Sequence, residues 1–195
     1  MAGTGTGTGP GTAGAEPDDG GTPRLGTPRL AAPGEAPVVA RLLDAFNREF
    51  GDATPGVPAI ARRLAGLLEE GSTFAVVIGD PASGVALVTL RPNVWYDGPV
   101  ALLDELYVVP EKRGGGLGTA LLRAVERQCV AAGAELLEIT VDGEDVDARR
   151  FYERHGYATG NPGQDEPQLY YSRELGGLGG PDATSPGTGG AGDPH

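Results

Sequence analysis

The chain has 195 residues, among them 34 glycines, 17 prolines and one cysteine, and a formal net charge of −12. One cysteine, Cys129, excludes an intrachain disulfide and a cysteine-built metal cluster, so no metal site is expected. The acidic balance argues against a nucleic-acid partner, which needs clustered Lys and Arg; it favours cationic partners by long-range attraction, or serves solubility alone.

Half of the glycines fall in two tails, residues 1–26 and 176–195. Neither tail has the apolar surface to offset about 1–2 kcal/mol per residue of backbone entropy, so both are expected to be disordered. They hold Glu16, Asp18, Asp19, Asp182 and Asp193 against Arg24, so −8 of the charge stays between them. The intervening residues, 27–175, have the size of one domain with one core. The N-terminus lacks a charged-then-apolar leader, and no apolar run approaches the span of a membrane helix. A cytoplasmic protein without membrane contact is expected.

The doubled Thr-Pro-Arg-Leu at 22–25 and 27–30 is a local echo rather than a repeat architecture, and Leu30-Ala31-Ala32 begins a first short strand. Val39, Leu42, Leu43, Phe46 and Phe50 share one helical face, broken by Gly51 to Pro58. Ile60, Leu64, Leu67 and Leu68 define a second helix that stops at Gly71. Thr73–Ile78 and Val85–Leu90 are β-rich runs joined by the hairpin signal Gly79-Asp80-Pro81-Ala82-Ser83-Gly84. A loop through Trp95 and Tyr96 leads to a strand over 101–109. Leu121, Leu122, Val125 and Cys129 then form the inner face of a helix running from Leu117 to about Ala132. A strand over 135–141 follows. Asp145 is placed to cap a short helix in which Ala148, Phe151 and Tyr152 share a face, and Gly156 ends it. A last strand is expected over 168–173. The order β-α-α-β-β-β-α-β-α-β predicts an α/β fold with a mixed central sheet, hairpins first and then a crossover helix joining parallel strands.

The segment Arg113-Gly114-Gly115-Gly116-Leu117-Gly118-Thr119 stands between a strand and a helix start. Backbone N–H groups left unpaired there converge on one spot, and the helix dipole adds positive potential, which suits a phosphate or pyrophosphate. No lysine follows these glycines, which excludes a P-loop; the dinucleotide fingerprint lacks its third glycine at Thr119. A ligand-free turn would need fewer than the four glycines found here.

Arg113-x-x-Gly116-x-Gly118 resembles the acetyl-CoA pyrophosphate motif of the GNAT superfamily of N-acetyltransferases, and residues 106–122 look like that family's core signature. Ala148-Arg149-Arg150-Phe151-Tyr152-Glu153-Arg154-His155-Gly156-Tyr157 resembles its second signature, in the right order and with one strand between. The resemblance covers about residues 28–175. It implies acetyl-CoA as co-substrate, held by Arg113, Gly114, Gly115, Gly116, Leu117, Gly118 and Thr119. Arg113 either adds charge there or simply orders the turn. The resemblance also implies main-chain contacts from Leu106, Tyr107 and Val108 to the pantetheine arm and acetyl carbonyl.

Tyr152 matches the family's usual general acid. Many members place a glutamate base at the position of Thr140 and an asparagine at that of Asp145. Threonine cannot act as that base, and Asp145 puts a usual cofactor or backbone contact in doubt. Glu105 is the first candidate base and Glu138 the second, with Asp142 or Asp145 acting through water as further options. The acidic run Asp142-Gly143-Glu144-Asp145-Val146-Asp147, with Phe46-Asn47-Arg48-Glu49-Phe50, is loosely similar to aminoglycoside 3-N-acetyltransferases.

The implied activity is direct transfer of an acetyl group to a primary amine of a small cationic molecule. A protein lysine or N-terminal acetyltransferase is the alternative enzyme, and a non-catalytic acetyl-CoA-binding module the alternative of another class. The Trp95-Tyr96 loop reads as a homodimer surface, an acceptor pocket or ordinary packing.

Overall fold

In the computed structural model, residues 26–160 and 169–172 are described. The elements are β1 (Arg29–Leu30), α1 (Ala36–Phe50), α2 (Val57–Glu70), β2 (Thr73–Gly79), β3 (Ala82–Arg91), β4 (Val100–Val108), α3 (Leu117–Ala131), β5 (Leu136–Ile139) and α4 (Val146–Arg154), with single 3-10 turns at Pro33–Glu35 and Pro110–Lys112. The strands form one sheet in the order β1-β2-β3-β4-β5. Pairing is antiparallel from β1 to β4 and parallel between β4 and β5, as the crossover through α3 requires. The mixed α/β architecture is thus the one the element order predicts.

Helices cover both faces of the sheet, so β2 reads as an almost continuous buried run, with Ala75, Val76, Val77 and Ile78 each at most 2% exposed. One face packs Val39, Leu42 and Leu43 of α1 and Leu64 of α2 against Ala75, Val77, Val85 and Tyr107. α3 presents Leu121, Leu122, Val125 and Cys129 as its buried side. Gly84 lets it come close: a Cβ there would lie 3.0 Å from Ile78 Cγ2, 3.1 Å from Leu121 Cδ1 and 3.2 Å from the Tyr107 carbonyl oxygen.

Several boundaries differ from expectation. Val57 and Pro58 open α2 rather than separate it from α1, because proline's missing N–H is not needed in a first turn. β3 starts at Ala82, so the hairpin connection is only Asp80-Pro81. β5 is shorter than the predicted 135–141. The final strand is corrected: residues 169–172 carry no regular structure, while Gln168 and Arg173 lie outside the described residues, as do 1–25 and 176–195, where the tails were expected. The chain divides into two compact units, one ending at Ile139 and the other beginning at Thr140. Among the described residues, no helix is long and apolar enough to cross a membrane.

Candidate active site

In the first unit, β4 ends at Val108, a 3-10 turn follows, and Arg113 leads in extended conformation into the glycines. Gly114 and Gly116 have φ of +75° and +84°, a region other residues enter only with strain. The first helical bond runs from Ala120 N–H to the Gly116 carbonyl at 3.0 Å, so the N–H groups of Leu117 and Gly118 precede the ladder. Residues 114–116 are exposed, and a Cβ on Gly114 would meet nothing within 4 Å. An anion can therefore come directly against the main chain, which fits the pyrophosphate of acetyl-CoA.

Arg113 is engaged elsewhere. Its Nε donates to the Val108 carbonyl at 2.9 Å, and Nη1 and Nη2 form a bidentate pair with Glu49 of α1 at 2.7 and 2.8 Å. The guanidinium lies 5.6 Å from the Tyr107 ring centroid. Of the two roles expected for this arginine, the geometry favours ordering the turn: Glu49 offsets its charge. Burial, and then Glu49, hold the Tyr107 phenol above its usual value.

Upstream, β4 carries a bulge. Its pairing with β3 passes from Leu87 opposite Glu105 to Val88 opposite Leu103, leaving Asp104 as the extra residue. The parallel ladder with β5 stops at Leu103 opposite Ile139. From Asp104 to Val108, the edge of β4 away from β3 therefore has no strand partner among the described residues. Main-chain groups of Leu106, Tyr107 and Val108 lie on this stretch, where the resemblance puts the pantetheine contacts.

Glu105 sits partly buried beside the bulge. Burial pushes its carboxyl up to about 7, and the negative charges of Asp104 and Asp52 add to the shift. Such a group is half-ionised near neutral pH and matched to accept a proton from an ammonium. Asp104 accepts from Thr89 Oγ1 at 2.6 Å. Asp52 follows the C-cap Gly51, and its N–H donates to the Asn47 carbonyl at 2.9 Å. The loop beyond is moored by Asp44, only 7% exposed, which accepts from Arg48 Nε and Thr54 Oγ1, both at 2.7 Å.

The other candidate bases are placed differently. Glu138 is exposed and ion-paired with Arg91. Asp145, in the second unit, caps α4 by accepting from Ala148 N–H at 2.9 Å, as its spacing predicts. Asp142 is exposed. Tyr152 lies on α4, its ring edge-on to Phe151 at 5.2 Å and Tyr157 at 5.8 Å. The first unit thus brings together Glu105, Leu106, Tyr107, Val108 and residues 113–119, while Tyr152 and Asp145 share the second.

A model of the acetyltransferase (GNAT) family matches residues 39–157, more than half of the chain. The chain belongs to the GNAT acetyltransferase family. Among curated relatives, aminoglycoside N(6′)-acetyltransferase type 1 of Stenotrophomonas maltophilia is 32% identical over 135 residues, 67% of this chain and 85% of that enzyme. Aminoalkylphosphonate N-acetyltransferase of Salmonella typhimurium is 44% identical over 55 residues, 28% of this chain and only 36% of that enzyme. A crystal structure from Arthrobacter sp. FB24 is 50% identical with a TM-score of 0.73, covering 80% of this chain and 99% of that one.

As a GNAT enzyme, the chain is an acetyl-CoA-dependent N-acetyltransferase by family. The aminoglycoside relative is a 6′ enzyme, not the 3-N type suggested by the acidic run. Sequence reading missed Glu49, Asp52 and Asp104. Glu49 and Arg113 are separated by 64 residues, and no local pattern couples them. Nor is the Trp95 loop ordinary packing. The Asn93 side chain holds it, accepting from the Trp95 and Tyr96 N–H groups and donating to the Gly98 carbonyl, all at 2.8 Å. Val94 and Trp95 remain 86% exposed.

Proposed function

We propose that this GNAT enzyme transfers the acetyl group of acetyl-CoA to a primary amine of a small cationic molecule, directly within a ternary complex. One observation carries the acceptor class: Glu105, raised to about 7, lies within the electrostatic reach of Asp104 and Asp52. Two acidic side chains beside a carboxylate proton acceptor attract a multiply charged amine and disfavour a neutral one. The relatives named for aminoglycosides and aminoalkylphosphonates support a small amine as acceptor.

Acetyl-CoA, when bound, supplies an activated thioester and a thiol leaving group. The N–H groups of residues 114–119 hold its pyrophosphate, and glycine keeps side chains out of the way. The free edge of β4 at Leu106, Tyr107 and Val108 orients the arm and the acetyl carbonyl; a main-chain donor facing developing oxyanion charge is worth about 2.7–4 kcal/mol. Glu105 takes a proton from the acceptor ammonium, which leaves the amine free to attack. Tyr152 takes the general-acid role on the strength of its signature, since a phenol of pKa about 10 stays protonated at neutral pH and can donate to a thiolate.

Thiol release from acetyl-CoA, measured against aminoglycosides, polyamines, aminoalkylphosphonates, amino acids and lysine peptides, tests this reading. The highest kcat/KM is expected for small multiply charged amines. A lysine peptide preferred by about tenfold or more, some 1.4 kcal/mol, would make the chain a protein acetyltransferase. Acetyl-CoA binding without turnover on any amine would make it a regulatory module.

A further inference from the structure

The glycine turn has little of its own to hold it. Residues 114–116 have no side chains, and glycine backbones sample more conformations than any other residue. Arg113 is the last side chain before them, and it is anchored at three points. Nε binds the Val108 carbonyl at the end of β4, and Nη1 and Nη2 grip Glu49 on the last turn of α1. The guanidinium also lies over the Tyr107 ring, against which Phe46 of α1 packs at 5.3 Å between ring centroids. Glu49 and Phe46 thus bring one end of α1 onto the root of the turn.

The pair is not deeply buried: the side chains are 45% exposed for Arg113 and 28% for Glu49. An ion pair so placed adds little stability through its charge alone. Its bidentate geometry is a different matter, because a planar fork held at both ends fixes orientation. With Glu49 offsetting the guanidinium, an approaching pyrophosphate meets the main-chain N–H groups rather than a free cation.

We infer that Glu49 is a positioning residue for the acetyl-CoA turn. It holds Arg113 against Val108 and Tyr107, so that the N–H groups of residues 114–118 keep one orientation before the ligand arrives. The inference rests on the acetyltransferase reading for the identity of the ligand, but not for the ordering itself.

Three measurements on Glu49→Gln, Arg113→Gln and the double variant test it. In the ligand-free protein, NMR order parameters of the Gly114–Gly118 amides are expected to fall in all three variants relative to wild type. By calorimetry, each single variant is expected to weaken acetyl-CoA binding about three- to tenfold, and the double variant no more than the larger single effect, because both residues act through one contact. For Glu49→Gln, saturating kcat should stay within about twofold while KM for acetyl-CoA rises, a split that general destabilisation would not produce. Unchanged order parameters would overturn the inference. So would additive losses, or tighter acetyl-CoA binding by Glu49→Gln, which would mean that Arg113, once released, pairs with the phosphates. If the wild-type protein fails to bind acetyl-CoA, the acetyltransferase reading falls, and the order parameters alone decide whether Glu49 orders the turn.

Discussion

Ionising Glu105 costs the folded protein free energy, because partial burial strips water from the carboxylate and Asp104 and Asp52 add like charge. Its folded value of about 7 lies above the ordinary 4.5, so between those values the folded state binds more protons than the unfolded one. Stability from this group is therefore full below about 4.5 and is lost as pH rises toward 7. Glu105→Gln should stabilise the protein at pH 8 by about 1–3 kcal/mol and have no such effect at pH 4, as read from denaturant midpoints at the two pH values. Tyr152 is tested by removing one oxygen. Phenylalanine keeps the ring contacts with Phe151 and Tyr157, so Tyr152→Phe should lower kcat by roughly 10–10³-fold with acetyl-CoA affinity nearly unchanged. Turnover equal to wild type would remove Tyr152 from the mechanism.

Among the elements, α3 packs closely on the sheet at residue 84, where the absence of a Cβ leaves it room. Gly84→Ala would press a methyl group onto Ile78, Leu121 and the Tyr107 carbonyl, all within 3.2 Å. A loss of about 1–3 kcal/mol is expected, measured by chemical denaturation. Such close approaches leave no mark in sequence, whereas the apolar faces of α1 and α3 do, through their spacing. Asp145 was legible as a cap for the same reason: the partner of its side chain lies three residues away. The bulge at Asp104 was not legible, since no glycine or proline announces it and only the register with β3 reveals the extra residue. The clamp of Glu49 on Arg113 is a tertiary contact between distant residues, so no local window contains it. The strand expected over 168–173 is not formed in its described part: residues 169–172 carry no regular structure, and Leu169, Tyr170 and Tyr171 are exposed, without the packing that β propensity needs.

For the whole molecule, the charge of −12 and the acid group around Glu105 act in the same sense on a cationic acceptor. Long-range attraction of this kind is screened over about 10 Å at 0.1 M salt, so kcat/KM for a polyamine should fall as ionic strength rises. The value for a neutral-bodied primary amine should change less, and equal salt dependence for both would argue that the acidity serves solubility. The family and the mixed sheet were readable from two short signatures and the element order, but the acceptor was not, because it depends on side chains that only folding brings together. The most direct test is the pH dependence of acceptor-dependent thiol release from acetyl-CoA, with a polyamine and an aminoglycoside, for the wild-type protein and Glu105→Gln. Release that rises through about pH 7 in wild type and falls at least tenfold in the variant is the expected result. Release that does not depend on a cationic amine, or an unchanged profile in Glu105→Gln, would contradict the account.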